Sequence, residues 1–412
     1  MNCLCYTSPV YGGYGLMNLG MQIPESFILF AGPASCARHS AIASIQKNNK
    51  ERNSYLFLSD EDISMGTVED EIYRSVDEIL PSLSKKPKVF ILLFACILYL
   101  EGIDEKAVIN ELSRRHEDVV FQVCLMNPIS IGTDHAPVTM MYSRMAELFE
   151  SGEQEDTVNF IGNNVPIDRK CEIYSVLSDL GVKGTNHTTE KKNFPEFRKM
   201  GNARWNIVVK PEGIRAAKEM APRIDYRFLP VSYEFDVIRE QYEEIFGMFG
   251  RSTDLSGYKK EAENAVRNTS EKLRGKTIAL GSSASYRIFG MARMLIQSGF
   301  NVRDIFASQD IYDPAPPFDM DAAEWIQKNT NIRIHNVSNP KYRGKMGKVC
   351  TVDIAVGFNA GYFSNTKCIV SISSDEGMFG YGGIKLLMEK IDDALNNPKD
   401  LRTLVEKYGV VI

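Results

Sequence analysis

The chain has 412 residues, 44% of them hydrophobic and 25% charged, enough for two or three domains with a full core and no staples. A net charge of -5 with no basic run excludes an electrostatic case for nucleic acid binding. No secretion leader is visible, and the most apolar run, residues 89–100, is too short to cross a bilayer. The expectation is a cytoplasmic protein without a membrane partner, whose eight cysteines are not in disulfides.

The order strand, turn, helix recurs from end to end. Residues 27–30 read as a buried strand that Gly32-Pro33 breaks, and a helical stretch follows over 37–46. Strands are expected at 55–58, 89–95 and 119–125, with helices near 68–80, 105–115 and 139–150. The run through 89–100 is apolar enough for a strand covered on both faces. The acidic stretch 151–157 marks a boundary. A second unit then runs through strand 158–161, loop 162–166 and a helix 170–180 stopped by Gly181, and continues over 205–209, 213–220 and 226–229. A charged helical arm covers 237–273. A third unit follows with strand 277–280, turn 281–284, helix 285–298, strands 301–306, 353–356 and 368–372, and a closing helix 383–395. This alternation predicts an α/β protein of three doubly wound, Rossmann-like parallel-sheet domains, 1–152, 153–236 and 275–412, with a helical connector over 237–274.

The cysteines carry the chemistry. Cys36 falls at a helix start after Gly32-Pro33, beside Arg38 and His39, where the helix dipole and the basic neighbours favour thiolate. That setting suits an iron ligand, a zinc ligand or a nucleophile. Cys96 lies in the apolar run ahead of Glu101-Gly102-Ile103-Asp104, at the carboxyl end of a strand, and reads equally well as a core side chain. Cys3 and Cys5 precede the glycine-rich segment Ser8 to Gly15. Ligands bind open α/β sheets at the carboxyl ends of their strands, so parallel strands would put Cys36 and Cys96 on one edge. A closed iron–sulfur cluster needs about four ligands, so three thiolates here imply a second chain that supplies the rest. No Cys-x-x-Cys pair supports zinc. Cys124, Cys171, Cys350 and Cys368 are read as packing residues, since cysteine is among the most buried residue types.

Of the histidines, His116, His187 and His335 read as solvated and His135 as a loop residue that could face a site. His39, near Cys36, could tune a cluster by hydrogen bonding or simply pack. The turn Gly281-Ser282-Ser283-Ala284 is read as a plain strand-to-helix turn rather than an anion site.

These residues resemble a known family. Gly32-Pro33-Ala34-Ser35-Cys36 resembles the Gly-Pro-x-x-Cys segment of nitrogenase component 1, and Cys96 with Gly102-Ile103-Asp104 resembles that family's Cys followed by a Gly-x-Asp turn. The segment from Ser59 to Gly66 is similar to the family's lead into its next helix, and Cys5 ahead of Ser8-Pro9 is similar to its first cluster cysteine, with Cys3 a close rival. Val158 to Gly162 and Gly275 to Gly281 resemble the starts of its second and third domains, and Gly380-Tyr381-Gly382-Gly383 its C-terminal Gly-Tyr-x-Gly element. Cys36-Ala37-Arg38-His39 is closest to the less characterised nitrogenase-like oxidoreductases.

The resemblance implies that Cys5, Cys36 and Cys96 ligate an iron–sulfur cluster, 4Fe-4S or larger, shared with a homologous subunit or a second copy of this chain. Electrons would come from a separate ATP-dependent iron–sulfur reductase. This chain cannot be that reductase, because it has no Gly-x-x-x-x-Gly-Lys-[Ser/Thr] loop. Residues 205–217 lack the cysteine, and 371–377 the histidine, that the family's cofactor-holding subunit supplies. The implied role is therefore the subunit that shares the bridging cluster without holding an active-site metal cofactor. A scaffold for metallocofactor or tetrapyrrole maturation, and a non-redox α/β binding protein without metal, are the alternatives.

Overall fold

The computed structural model describes residues 15–46, 48–130, 133–307 and 316–408. They fall into two compact units, one within 14–164 and 186–226, the other within 165–185 and 227–412.

The first sheet contains β1 (Ser26–Gly32), β2 (Asn53–Phe57), β3 (Val89–Phe94) and β4 (Val120–Leu125) in the order β2-β1-β3-β4. Every residue of β1 and β3 is buried. Central parallel strands covered on both faces need continuous apolar runs, and Phe27-Ile28-Leu29-Phe30-Ala31 and Val89 to Phe94 provide them. The apolar run does not stay extended to residue 100. Its strand ends at Phe94, and a short helix starts at Cys96 once the Ala95 N–H has donated to the Ala31 carbonyl at 2.9 Å. The helix Val68–Ser82 buries Val68, Ile72, Val76 and Leu80, one per turn. Each such side chain contributes about 1.5 to 3 kcal/mol of burial.

The second sheet contains β5 (Glu155–Ile161), β6 (Gly184–Asn186), β7 (Ala203–Val208) and β8 (Asp225–Phe228), ordered β6-β5-β7-β8. Its register is fixed by a polar pair inside an apolar sheet. Asn159 and Asn206 are fully buried and face each other across β5 and β7, with Asn159 Nδ2 donating to Asn206 Oδ1 at 2.9 Å. A one-residue slip would strand both amides, so the pair specifies the pairing.

The third sheet contains β9 (Thr277–Gly281), β10 (Asn301–Ala307), β11 (Arg333–Asn336), β12 (Ile354–Val356) and β13 (Ile369–Val370), ordered β11-β10-β9-β12-β13. The charged arm is two helices, Phe235–Phe249 and Ser256–Lys272, because Gly250 turns left-handed at φ 62° and ends the first. The Gly-Tyr-x-Gly element begins the helix Gly380–Asn396 and caps it from a distance. Buried Glu172 accepts the Tyr381 and Gly382 N–H groups, each at 2.7 Å, and the Tyr242 hydroxyl at 2.7 Å. A Cβ on Gly380 would lie 2.2 Å from Glu172 Oε1, so glycine is what lets the carboxylate reach the helix end.

The molecule is thus α/β with three Rossmann-like parallel sheets, as the sequence pattern implies. No described helix is long and apolar enough to cross a membrane.

Candidate metal centre at the edge of the first sheet

In each sheet the chain leaves the first strand to one side and later returns on the other, so each has a switch point at its carboxyl edge, where α/β proteins bind ligands. In the first sheet the crevice lies between β1 and β3, and the segments leaving those strands carry Cys36 and Cys96. β1 ends at Gly32, Pro33 follows, and the helix Ala34–Gln46 holds Cys36 as its third residue. The Cys36 N–H donates to the Pro33 carbonyl at 3.0 Å, which closes the first turn. Cys96 is the first residue of the helix Cys96–Leu100.

Strand register brings these two segments together: Ala31 pairs with Phe94. Beyond that rung the backbones approach closely. A Cβ on Gly32 would lie 2.3 Å from the Ala95 Cβ, so only glycine fits between the strand end and the second cysteine loop. The Cys36 thiol is exposed and Cys96 is half-buried.

Three of the four other described cysteines differ, while Cys368 is half-buried like Cys96. Cys124 and Cys171 are 1% and 2% exposed, and each Sγ lies 3.7 Å from a backbone carbonyl, of Pro137 and Gly377 respectively. Burial pushes both thiols up to about 12. Cys350 is half-buried and pushed up to about 11, by burial first and then by the Asp304 carboxylate. Thiols held protonated in this way are poor ligands and poor nucleophiles.

Two thiols on one edge suit the soft-donor chemistry of iron–sulfur ligation. Among the described residues no group of three or more His, Cys, Asp or Glu side chains is placed to hold a metal ion. Cys3 and Cys5, the expected further ligand, lie outside the described residues, as does the side chain of His39.

The histidines correct the sequence reading. His187 is 1% exposed: it stacks on Phe160 at 4.8 Å between ring centroids, and its Nδ1 lies 3.0 Å from the Asn163 amide. His335 is half-buried, with Nε2 2.7 Å from the fully buried carboxylate of Asp304 and Nδ1 2.9 Å from the Tyr342 hydroxyl. His116, also half-buried, meets Asp77 at 2.7 Å. Polar neighbours in the sequence suggested solvent, but each ring has a specific partner, which is how an imidazole is buried without loss. His135 is exposed and lies 2.9 Å from an Arg215 guanidinium nitrogen.

The crevice of the third sheet is filled by the chain itself, while in the second the backbones simply approach closely. Beyond β5 and β7, a Cβ on Gly162 would touch Lys210, itself buried, at 3.1 Å. Beyond β9 and β12, Asn359 fills the space: its Oδ1 accepts the Ser283 hydroxyl at 2.7 Å and the Ser283 N–H at 3.3 Å. Asp375 accepts the Tyr286 N–H at 2.9 Å, and the Ala284 N–H donates to Gly281. The turn after β9 is therefore a satisfied strand-to-helix connection. Neither occupant was legible beforehand, because nothing in the sequence ties Asn359 or Asp375 to a turn some 75 to 90 residues earlier.

The family model for nitrogenase component 1 type oxidoreductases matches residues 14–396. No curated protein sequence matches the chain. Among solved structures, one described as nitrogenase Cp1 at pH 6.5 is similar at TM-score 0.70 and 14% identity, covering 95% of this chain and 93% of that one. A second, nitrogenase Cp1 at pH 5, is similar at TM-score 0.59 and 14% identity, covering 95% and 90%. At that identity these structures speak to the fold, while the match along nearly the whole length speaks to ancestry. The chain belongs to the nitrogenase component 1 type oxidoreductase family.

Proposed function

We propose that the chain is one subunit of a nitrogenase-like reductase complex and that Cys36 and Cys96, with Cys5 or its rival Cys3, ligate an iron–sulfur cluster shared with another subunit. The observation that carries this reading is the placement of Cys36 and Cys96 at the starts of the segments that leave the adjacent parallel strands β1 and β3, at the switch point of the first sheet. When bound, such a cluster supplies one-electron storage and relay. Electrons would come from an ATP-dependent iron–sulfur reductase and pass to a substrate site, and the chain works in the cytoplasm.

The chain's own residues do the positioning. Gly32 lets the two cysteine segments close on each other, and the buried strands behind them form a rigid base. The exposed Cys36 thiol and half-buried Cys96 face outward enough for a second chain to complete the ligand set.

The test is anaerobic purification of the full chain with its natural partners, followed by iron and acid-labile sulfide analysis and redox titration. The reading expects stoichiometric iron and sulfide with a reversible one-electron signal. Iron far below stoichiometry, unchanged by Cys36→Ala, would contradict it.

A further inference from the structure

Away from the cysteine edge, the third sheet carries a chain of titratable groups that the proposed electron relay does not use. Alternate residues of a strand share a face, so Asp304 and Phe306 of β10 lie on one face with Arg333 and His335 of β11. The register sets Asp304 opposite Arg333 and Phe306 opposite His335. The His335 ring stacks on Phe306 at 4.7 Å between centroids and reaches diagonally to Asp304, with Nε2 2.7 Å from Oδ1. The turn Pro340–Tyr342 then brings the Tyr342 hydroxyl to 2.9 Å from Nδ1 of the same ring.

The partners fix where the hydrogens are. Burial works to raise the Asp304 carboxyl, but the hydrogen bonds from His335 and Arg333 hold it below its ordinary value. An ionised carboxylate only accepts, so Nε2 carries the ring hydrogen, and Nδ1 of the neutral ring accepts from the Tyr342 hydroxyl. Asp304 also gives the ring a counter-charge when Nδ1 takes up a proton. Tyr342 is 6% exposed and meets the Phe363 ring edge-on at 5.6 Å, so its hydroxyl faces the imidazole within an aromatic cluster. The Lys341 ammonium stands 5.1 Å from the centre of the Tyr342 ring, where it opposes positive charge on that ring.

Two other buried tyrosines differ. Tyr233 and Tyr242 donate to Asp375 and Glu172, carboxylates that also accept backbone N–H groups. A carboxylate is ordinarily a weaker proton acceptor than an imidazole. Tyr342 instead has a nitrogen base aligned on its hydroxyl and a buried carboxylate behind that base.

We infer that Tyr342 is a one-electron donor site, which gives an electron to an oxidising radical or high-valent metal species while its proton passes to His335. The phenol O–H bond breaks, an N–H bond forms at Nδ1, and the oxidant is reduced by one electron. The products are a neutral tyrosyl radical and an imidazolium paired with Asp304. The charge of Lys341 disfavours a cationic ring, so the electron leaves together with the proton. A one-electron reductant reverses the step and returns the proton to the phenol oxygen. The site goes beyond the cluster reading and does not rest on it.

The test exposes the full chain to a photogenerated ruthenium bipyridyl oxidant and freezes it at timed intervals for electron paramagnetic resonance. A neutral tyrosyl signal is expected that outlasts those of surface tyrosines, is lost in Tyr342→Phe and forms more slowly in heavy water. His335→Gln keeps a hydrogen-bond acceptor but no base, and should lose the signal although Tyr342 remains. Wild-type chain carrying isotopically labelled histidine should show coupling of the radical to a ring nitrogen, a readout that needs no variant. A long-lived signal that persists in Tyr342→Phe, or that shows no histidine coupling, would overturn the inference. So would a radical that forms as fast in His335→Gln as in the wild type.

Discussion

In the first sheet the crevice between β1 and β3 is flanked by Cys36 and Cys96, with one thiol exposed and the other half-buried, whereas in the third sheet the crevice between β9 and β12 holds the side chain of Asn359. The backbone plan is the same: parallel strands, a reversal of strand order, and turns at the carboxyl edge. What separates the two edges is which side chain follows each strand. After β12, Asn359 can reach both Ser282 and Ser283, because Gly281 carries no Cβ; a Cβ there would lie 1.8 Å from Asn359 Oδ1. After β1 and β3, a Cβ on Gly32 would meet the methyl of Ala95 at 2.3 Å and the Phe30 ring at 3.4 Å, apolar neighbours in place of the Asn359 amide. A shared fold thus offers the same edge several times, and local side chains decide where chemistry is possible.

The largest effect is expected from closing the thiol edge by force. Gly32→Ala puts a Cβ 2.3 Å from the Ala95 Cβ. It should cost about 3 kcal/mol and cut bound iron by about tenfold, since cluster ligands depend on placement. Adding Ala95→Gly removes the clashing atom and should restore part of both. Iron analysis and denaturant unfolding of the two variants check this.

The reverse change opens the closed edge. Asn359→Ala leaves the Ser283 hydroxyl and N–H without their acceptor in a buried turn. It should cost about 2 kcal/mol in unfolding and leave bound iron unchanged. Loss of iron equal to that of Gly32→Ala would remove the distinction between the two crevices.

A smaller, pH-dependent effect distinguishes the third sheet again. Asp319 accepts the Phe289 and Gly290 N–H groups, each at 2.9 Å, at the start of the helix Ile288–Gln297. Burial raises its carboxyl from 3.8 to about 7, against the pull of those N–H groups and of Arg287. The folded value lies above the unfolded one, so this contribution to stability is complete below the unfolded value and is lost as pH rises to about 7. Asp319→Asn should flatten the fall in unfolding free energy across that window. An unchanged slope would show that another group sets it.

The smallest effect concerns the thiols themselves. In metal-free native chain, Cys36 should react with iodoacetamide in minutes, while Cys124 and Cys171, pushed up to about 12 by burial, should react only on unfolding. Peptide mapping after timed quenching reads this directly.

Much of the frame was legible because its signals are local. The helix Glu105–Arg115 begins where Asp104 caps it and follows the left-handed Gly102, and both residues announce themselves in the sequence. β3 is visible as an apolar run. The helix Cys96–Leu100 was not, because it starts on Ala95 without a polar cap and continues in apolar residues. The helix Phe358–Phe363 is buried at every position and so has no amphipathic period to read. Cys36 and Cys96 stood out by context, but the crevice occupant Asn359, and the burial of Lys210 and His187, depend on contacts between distant segments.

The most direct measurement is spectroscopy and iron–sulfide analysis of the anaerobic assembly in a cysteine series: Cys36→Ala, Cys96→Ala, Cys124→Ala and Cys171→Ala. If the edge between β1 and β3 holds the cluster, the first two lose or change the iron–sulfur signal, while the last two keep it and lose only stability. Iron retained in both edge variants, or lost equally in all of them, would contradict that assignment.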